Sequence, residues 1–468
     1  MTTSTSTSSR TVLTVLVAIV AILWWQVQKE GTSPASADTP LEVQNETIRT
    51  ADCFSETYQE ARQKFRDAAK AAGAEQHVIP IYTSSSNEEE YTTDIAVLVG
   101  NRPGLVLHTS GVHGVEGYAG SAIQIAWLRH MAKTVTAFPT IVMVHAVNPH
   151  GMAHYRRTNE NNVDLNRNAL MTAKEWTIAL ERDPNLAHYQ DLSPLFNPTD
   201  VGNGDWSFWS KAIPTIAQHG LVKLKTALVT GQYHEPKGIS YGGTELQPSW
   251  QKLHDFLRPR IMEWTTTTTT TTLPNSITDT TCCTAVYVDV HTGLGQSGID
   301  SILSLGIDDT TVSGTTDLSK LFAGSTVAGV DANADEANRG YDLTIGTSGS
   351  FFMGLFDGNE GTNDTGMADA DSISSDAEND DTTTDEQHGD DYKMDLLAVT
   401  QEFGTIPSTF VGKSLVLENA IQHHDRSQLS FGMELMKQAF YVRKQSWRKS
   451  VLSRGLKVLS QAIGHVVE

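Results

Sequence analysis

The stretch Leu105–Gly120 constrains this chain most: an apolar run, then three glycines in seven positions, then a long apolar-rich segment. Leu105-Val106-Leu107 reads as a buried strand, and Ala119–Met131 as the helix that follows it. Between them Gly111, Gly114 and Gly117 give the turn enough backbone freedom for His113 and Glu116 to converge on one point. An imidazole and a carboxylate are ligand types that a zinc ion accepts. The spacing alone decides nothing, because His465 and Glu468 repeat it at the C-terminus.

Around this stretch, apolar runs alternate with helical patterns. Phe54, Tyr58, Ala61 and Phe65 recur at helical spacing in a segment that Gly73 ends. Strands are expected at Val78–Tyr82, Asp94–Val99, Leu105–His108, Thr140–Val147, Ala285–Val290, Ser301–Leu305 and Leu396–Phe403. Further helices are expected at Trp209–Leu228, Leu246–Trp264, Met433–Arg443 and Lys449–Ile463. The alternation predicts an α/β fold: a mixed, mostly parallel central sheet with helices on both faces.

The 468 residues carry a formal charge of −21, which argues against nucleic acid as a partner. Much of that charge is local, since residues 357–391 hold 13 acidic side chains and neither Lys nor Arg. Two low-complexity insertions are therefore expected, at 265–275, which contains eight consecutive threonines, and at 357–392. Three cysteines, Cys53, Cys282 and Cys283, cannot build a disulfide framework and read as buried thiols.

At the N-terminus, Arg10 precedes the apolar run Val12–Val27, and Ala35-Ser36-Ala37 offers a cleavage site. Residues 1–30 are read as a signal peptide or transmembrane signal-anchor, 31–50 as a linker and 51–468 as one catalytic domain. This reading expects a secretory-pathway protein, either membrane-anchored through the apolar segment or secreted. Sequons at Asn45 and Asn363 fit a glycoprotein on that route.

Four further blocks carry chemistry. After the strand Thr140–Val147 come Asn148-Pro149-His150-Gly151 and then Arg156 to Asn168, dense in Asn and Arg and holding one Asp. Loops at sheet ends are where sites are built, and arginine's planar fork suits a carboxylate or a developing oxyanion. Val286–Gly293 is a β-branched strand delivering His291 into a glycine turn. Thr400–Thr405 sets Glu402 at the end of another apolar strand, where a base beside a metal-activated water would stand.

In this order, SGVHGVEGYAGS, NPHG, RRTNENNVDLNRN, DVHTG and EFGT resemble the zinc metallocarboxypeptidase superfamily with its carboxypeptidase A-like fold. The chain is most similar to a branch related to succinylglutamate desuccinylase and aspartoacylase, from about Phe54 to the C-terminus. The resemblance implies a metallopeptidase or amidohydrolase that uses one zinc ion. It implies His113, Glu116 and His291 as zinc ligands and Glu402 as general base. It implies Arg156 as the arginine that steadies the oxyanion, with Arg157 if the register slips by one. Asn166 and Arg167 would grip a free carboxylate, Asp164 would orient His113, and Tyr241 or Tyr233 would contact substrate. Two departures stand out: NPHG replaces the familiar NPDG, and 178 positions separate His113 from His291. The implied substrate is a peptide or N-acyl amino acid with a free carboxylate, and the rival is a non-catalytic binding module on the same fold.

Overall fold

Long β-branched and apolar runs with both faces buried build the centre of the protein. In the computed structural model, residues 41–43, 46–84, 88–202, 204–265, 284–304, 317–328, 343–356 and 395–467 are described. Eight strands form one sheet among them: β1 (Glu75–Thr83), β2 (Glu90–Leu98), β3 (Leu105–Ser110), β4 (Thr140–His145), β5 (Thr284–Ser297), β6 (Asp300–Ser304), β7 (Thr326–Val327) and β8 (Asp395–Gly404). Their order is β1-β2-β4-β3-β5-β8-β6-β7. The inner pairs β4/β3, β3/β5 and β5/β8 are parallel. Antiparallel pairs β1/β2, β2/β4 and β8/β6 flank them. The mixed, mostly parallel sheet is thus the expected one.

Strands β3 and β4 are buried along their whole length, as a sheet covered on both faces requires. One face packs under α1 (Tyr58–Ala72), α2 (Gly117–Ala126) and the last helix of the chain, Gln445–Val467, with Phe65, Ile123, Val288 and Leu459 in a shared core. The other face packs on Pro248–Thr265 and Ser348–Gly354, where the Trp250 and Phe351 rings stack 4.5 Å apart. A third apolar cluster stands apart from both. It joins α3 (Tyr189–Phe196), α4 (Asp205–His219), α5 (Leu221–Thr230) and α6 (Ser408–His424) beside the C-terminal ends of the parallel strands.

Two expectations about elements change here. The segment Trp209–Leu228 is two helices, because Gly220 at φ +79° breaks it. Helix α6 was not anticipated at all. Its buried set includes Lys413, Glu418 and Asn419 beside Val411, Leu415 and Ile421, so no clean apolar stripe marks it.

The membrane expectation is corrected. No helix among the described residues is long and apolar enough to cross a membrane. The run Val12–Val27, which carried the signal-anchor and transmembrane reading, lies outside the described residues and is shorter than the roughly 20 residues a span takes. Both low-complexity insertions, the pair Cys282-Cys283 and the two sequons also lie outside, apart from Thr265. Cys53 is buried and unbridged, as read. Two short strands, Leu41–Val43 and Glu46–Ile48, pair antiparallel within the segment read as linker.

Candidate metal centre

The turn after β3 is shaped by backbone crowding. Gly111, at φ +72°, sits where a Cβ would meet the Ala146 Cα at 3.3 Å. At Gly114 a Cβ would fall 2.0 Å from the Gly151 carbonyl carbon, so only glycine lets this turn lie against Asn148–Gly151. Backbone bonds from Gly114 N to Arg157 O (3.3 Å) and Val115 N to Arg156 O (2.9 Å) tie the two loops together. Asn148 Oδ1 accepts from Gly151 N at 2.8 Å and closes the second turn. The histidine in NPHG therefore changes nothing the turn depends on, which is the Asn cap, the proline and the glycine.

Two strands deliver the remaining groups. In the parallel pair β5/β8, His291 and Glu402 are direct register partners. His113, Glu116 and His291, separated by up to 178 positions, meet with one ligand atom each inside a 4.8 Å group. His113 Nδ1 is 3.0 Å from Glu116 Oε1, His291 Nδ1 is 3.1 Å from Glu116 Oε2, and the two Nδ1 atoms are 3.0 Å apart. Tetrahedral zinc with bonds near 2.05 Å would set ligand nitrogens about 3.3 Å apart. The donor set fits that ion.

The far sides of both imidazoles are held by carboxylates. His113 Nε2 lies 3.0 Å from Asp164 Oδ1, and His291 Nε2 lies 2.7 Å from Asp289 Oδ2. Each carboxylate accepts the Nε2 proton and leaves Nδ1 as the ligand atom. Asp289 is itself fixed by Thr109 Oγ1 (2.7 Å) and Ser348 Oγ (2.6 Å). Sequence reasoning found Asp164 and missed Asp289. The signal was there: in Asp289-Val290-His291 the acid and the histidine share one face of a strand.

Charge in this pocket is finely divided. Burial alone would raise the Asp164 carboxyl, but Arg157 and His113 outweigh it and hold it well below the usual range. Burial likewise opposes ionisation of Glu116, and the two histidines reverse this. Glu402 goes the other way. Burial first, and then the Glu116 charge, push its carboxyl up to about 7. Its Oε1 accepts from Leu294 N at 2.8 Å, which fixes its direction.

The structure separates the two arginines. Arg157 lines the cavity, with Nε 2.9 Å from Asp164 Oδ2 and Nη1 3.3 Å from Glu116 Oε1. Arg156 turns away: its Nε meets Glu418 Oε1 at 2.8 Å and its Nη2 meets Asn162 Oδ1 at 2.9 Å. Of the two candidates, Arg157 is the one on the cavity wall, and Glu418, which holds Arg156, lies in the helix that sequence reasoning overlooked.

Of the pair expected to grip a carboxylate, Asn166 lines the cavity, oriented by Ser348 N donating to its Oδ1 at 2.8 Å. Arg167 is fully buried outside the cavity wall and bonds Val229 O and Asn166 O. Tyr241 is outside the wall as well. Its carbonyl accepts from Asp164 N at 2.7 Å, and the Tyr233 hydroxyl donates to Arg167 O at 2.7 Å, so both tyrosines brace the loop. His113, Glu116, Arg157, Asn166, His291 and Glu402 all open on one cavity of about 820 Å³.

Comparison with known proteins gives three kinds of result. The sequence pattern of the family described as "Protein of unknown function (DUF2817)" matches residues 54–345 and 326–454. No curated protein matches the chain. Among solved structures the chain is similar to thrombin activatable fibrinolysis inhibitor, at 12% identity and TM-score 0.42, over 94% of this chain and 82% of that one. It is similar to a metallo-carboxypeptidase from Burkholderia cenocepacia, at 10% identity and TM-score 0.39, over 88% and 70%. It is also similar to a succinylglutamate desuccinylase/aspartoacylase from Rhodobacter sphaeroides, at 14% identity and TM-score 0.32, over 75% and 65%.

Proposed function

The chain belongs to the DUF2817 family, and from the site it carries we propose that it is a zinc-dependent hydrolase of amide bonds that lie near a free carboxylate. The observation that supports this best is Glu402 opening on the same cavity as the His113, Glu116 and His291 set. A carboxyl placed there is suited to take a proton from water and hand it on.

In this reading His113, Glu116 and His291 hold the zinc ion, which supplies Lewis acidity toward a water and the scissile carbonyl when bound. Glu402 takes a proton from the attacking water and returns it to the leaving nitrogen. Arg157 donates to the carbonyl oxygen as negative charge develops there. Asp164 and Asp289 keep both Nδ1 atoms aimed at the metal and raise their basicity. Asn166 offers its amide to the substrate.

Both substrate classes end in a free carboxylate, and Arg167, whose guanidinium serves backbone carbonyls outside the cavity wall, does not separate them. The test is zinc stoichiometry of the wild type and of a His113→Ala/His291→Ala variant, with hydrolysis measured alongside Glu402→Gln. About one zinc per chain, absent from the double variant, with amide hydrolysis that Glu402→Gln abolishes, is the expected result. A folded wild type that takes up no zinc ends the proposal and favours a binding module.

A further inference from the structure

The cavity wall changes character away from the metal centre. Away from those six groups it is built mainly by α3, α4, α5 and α6, which contribute Leu195, Phe208, Trp209, Ile216, Leu224 and Val416 beside the hydroxyls of Ser408 and Thr409. Its rim is apolar too: Ile178, Leu221 and Val222 line the same cavity and are each 51% exposed. Apolar side chains left open to water at the edge of a cavity mark the place of an apolar ligand.

The charged side chains in this region do not alter that character. Lys413 is paired with Asp205 at 2.8 Å. Glu175 accepts from Met171 N and Thr172 N, both at 2.8 Å, and so caps the helix Ala173–Leu180. Lys225 also lines the wall, and it frames the rival outcome below.

Resting on the hydrolase reading above, we propose that the substrate is an N-acyl amino acid whose acyl group is an unbranched alkyl chain of about eight carbons or more. The chain lies along the helical wall and its carbonyl stands at the metal centre. Hydrolysis breaks the C–N bond and forms a C–O bond from water, with one water proton passing to the nitrogen. The products are a fatty acid and a free amino acid.

The experiment has a binding arm and a turnover arm, using N-acetyl-, N-octanoyl- and N-dodecanoylglycine. Calorimetry on the Glu402→Gln protein should show affinity rising about tenfold for every two methylenes, since each buried methylene contributes transfer free energy. Leu224→Gln and Ile216→Asn, checked for an unchanged thermal transition, should each weaken dodecanoyl binding about tenfold and leave acetyl binding unchanged. Affinity independent of chain length overturns the proposal. So does equal or tighter binding of a chain of the same length ending in a carboxylate, which would mean that Lys225 reads a second acid. The turnover arm separates the two readings. Tight binding of long chains without hydrolysis by the zinc-loaded wild type defeats the hydrolase reading alone. Hydrolysis of N-acetylglycine as fast as N-dodecanoylglycine defeats the acyl-chain proposal alone.

Discussion

Two regions face each other across the cavity and are built on opposite principles. The metal centre hangs on the ends of β3, β5 and β8, where carboxylates meet both imidazoles. The helical wall of α3–α6 is mostly apolar and leaves large side chains such as Trp206 and Leu221 in water. In the proposed hydrolase the first region would set which bond is broken, and the second what is attached to it. A substitution should therefore change chemistry on one side and preference on the other, and each prediction below tries to break that division.

The largest effect belongs to Glu402. Glu402→Gln keeps the shape and the bond from Leu294 N but cannot carry a proton, so kcat should fall by about 10³-fold or more with zinc content unchanged. Single-turnover kinetics beside metal analysis would check it. Loss of zinc in this variant would mean that Glu402 helps to hold the ion, and the assignment of three ligands would fail.

Next in size is a pH effect to which two buried histidines of the sheet contribute. Burial depresses His108 and His145 to about 4, against the ordinary value of 6.5. The unfolded chain therefore takes up these protons first. The share of stability that depends on these two groups is whole above about pH 6.5, falls as the pH drops toward 4, and levels off below that. With about 1.4 kcal/mol per unit, each histidine accounts for about 3 kcal/mol of that loss. Urea unfolding of metal-free protein at several pH values would show it, and His145→Gln should remove part of the slope, because burial also depresses His150 to about 3 and His423 to about 4. A slope unchanged in that variant would place the acid sensitivity elsewhere, with the helical wall as the first suspect.

Asp289→Asn comes third. It keeps the size of the side chain but weakens the hold on His291 Nε2, and zinc affinity should drop about 10- to 100-fold. Asp164→Asn should do the same through His113, with a further loss because Arg157 is left without one of its two carboxylate partners. Competition with a chelator measures both. If Asp289→Asn binds zinc normally, His291 is held by the strand alone.

The same division explains what could be read from the sequence. His113, Glu116, His291 and Glu402 were legible because each closes a strand with a glycine turn, and strand ends in a parallel sheet converge. The sheet was legible because its strands are unbroken apolar runs. Which of Arg156 and Arg157 faces the cavity was not legible, because two adjacent arginines differ only in which way a loop residue faces, and Arg156 is held by Glu418 on α6, 262 positions away. Arg167 was read as a substrate contact from its motif, yet its surroundings include Val229, which nothing local reveals. The wall was illegible because α4 and α5 merge into one helical pattern and α6 shows no stripe. Apolar residues that face a cavity look the same, in sequence, as apolar residues that face a core.

That ambiguity yields the smallest effect. Phe208 on α4 and Phe351 against the sheet are both buried phenylalanines, but only Phe208 lines the cavity. Removing a core ring leaves an unfilled void, and Phe351→Ala should cost about 3–5 kcal/mol, with the stacked Trp250 losing its partner. Phe208→Ala merely widens a space that already exists. Its penalty should be nearer the transfer term alone, about 1–2 kcal/mol. Paired urea unfolding curves decide between them. Equal losses would show that the wall is packed as tightly as the sheet, and the cavity would then be too rigid to serve chains of different length. Unequal losses in the expected order would place the wall among the parts of the molecule shaped for what they bind.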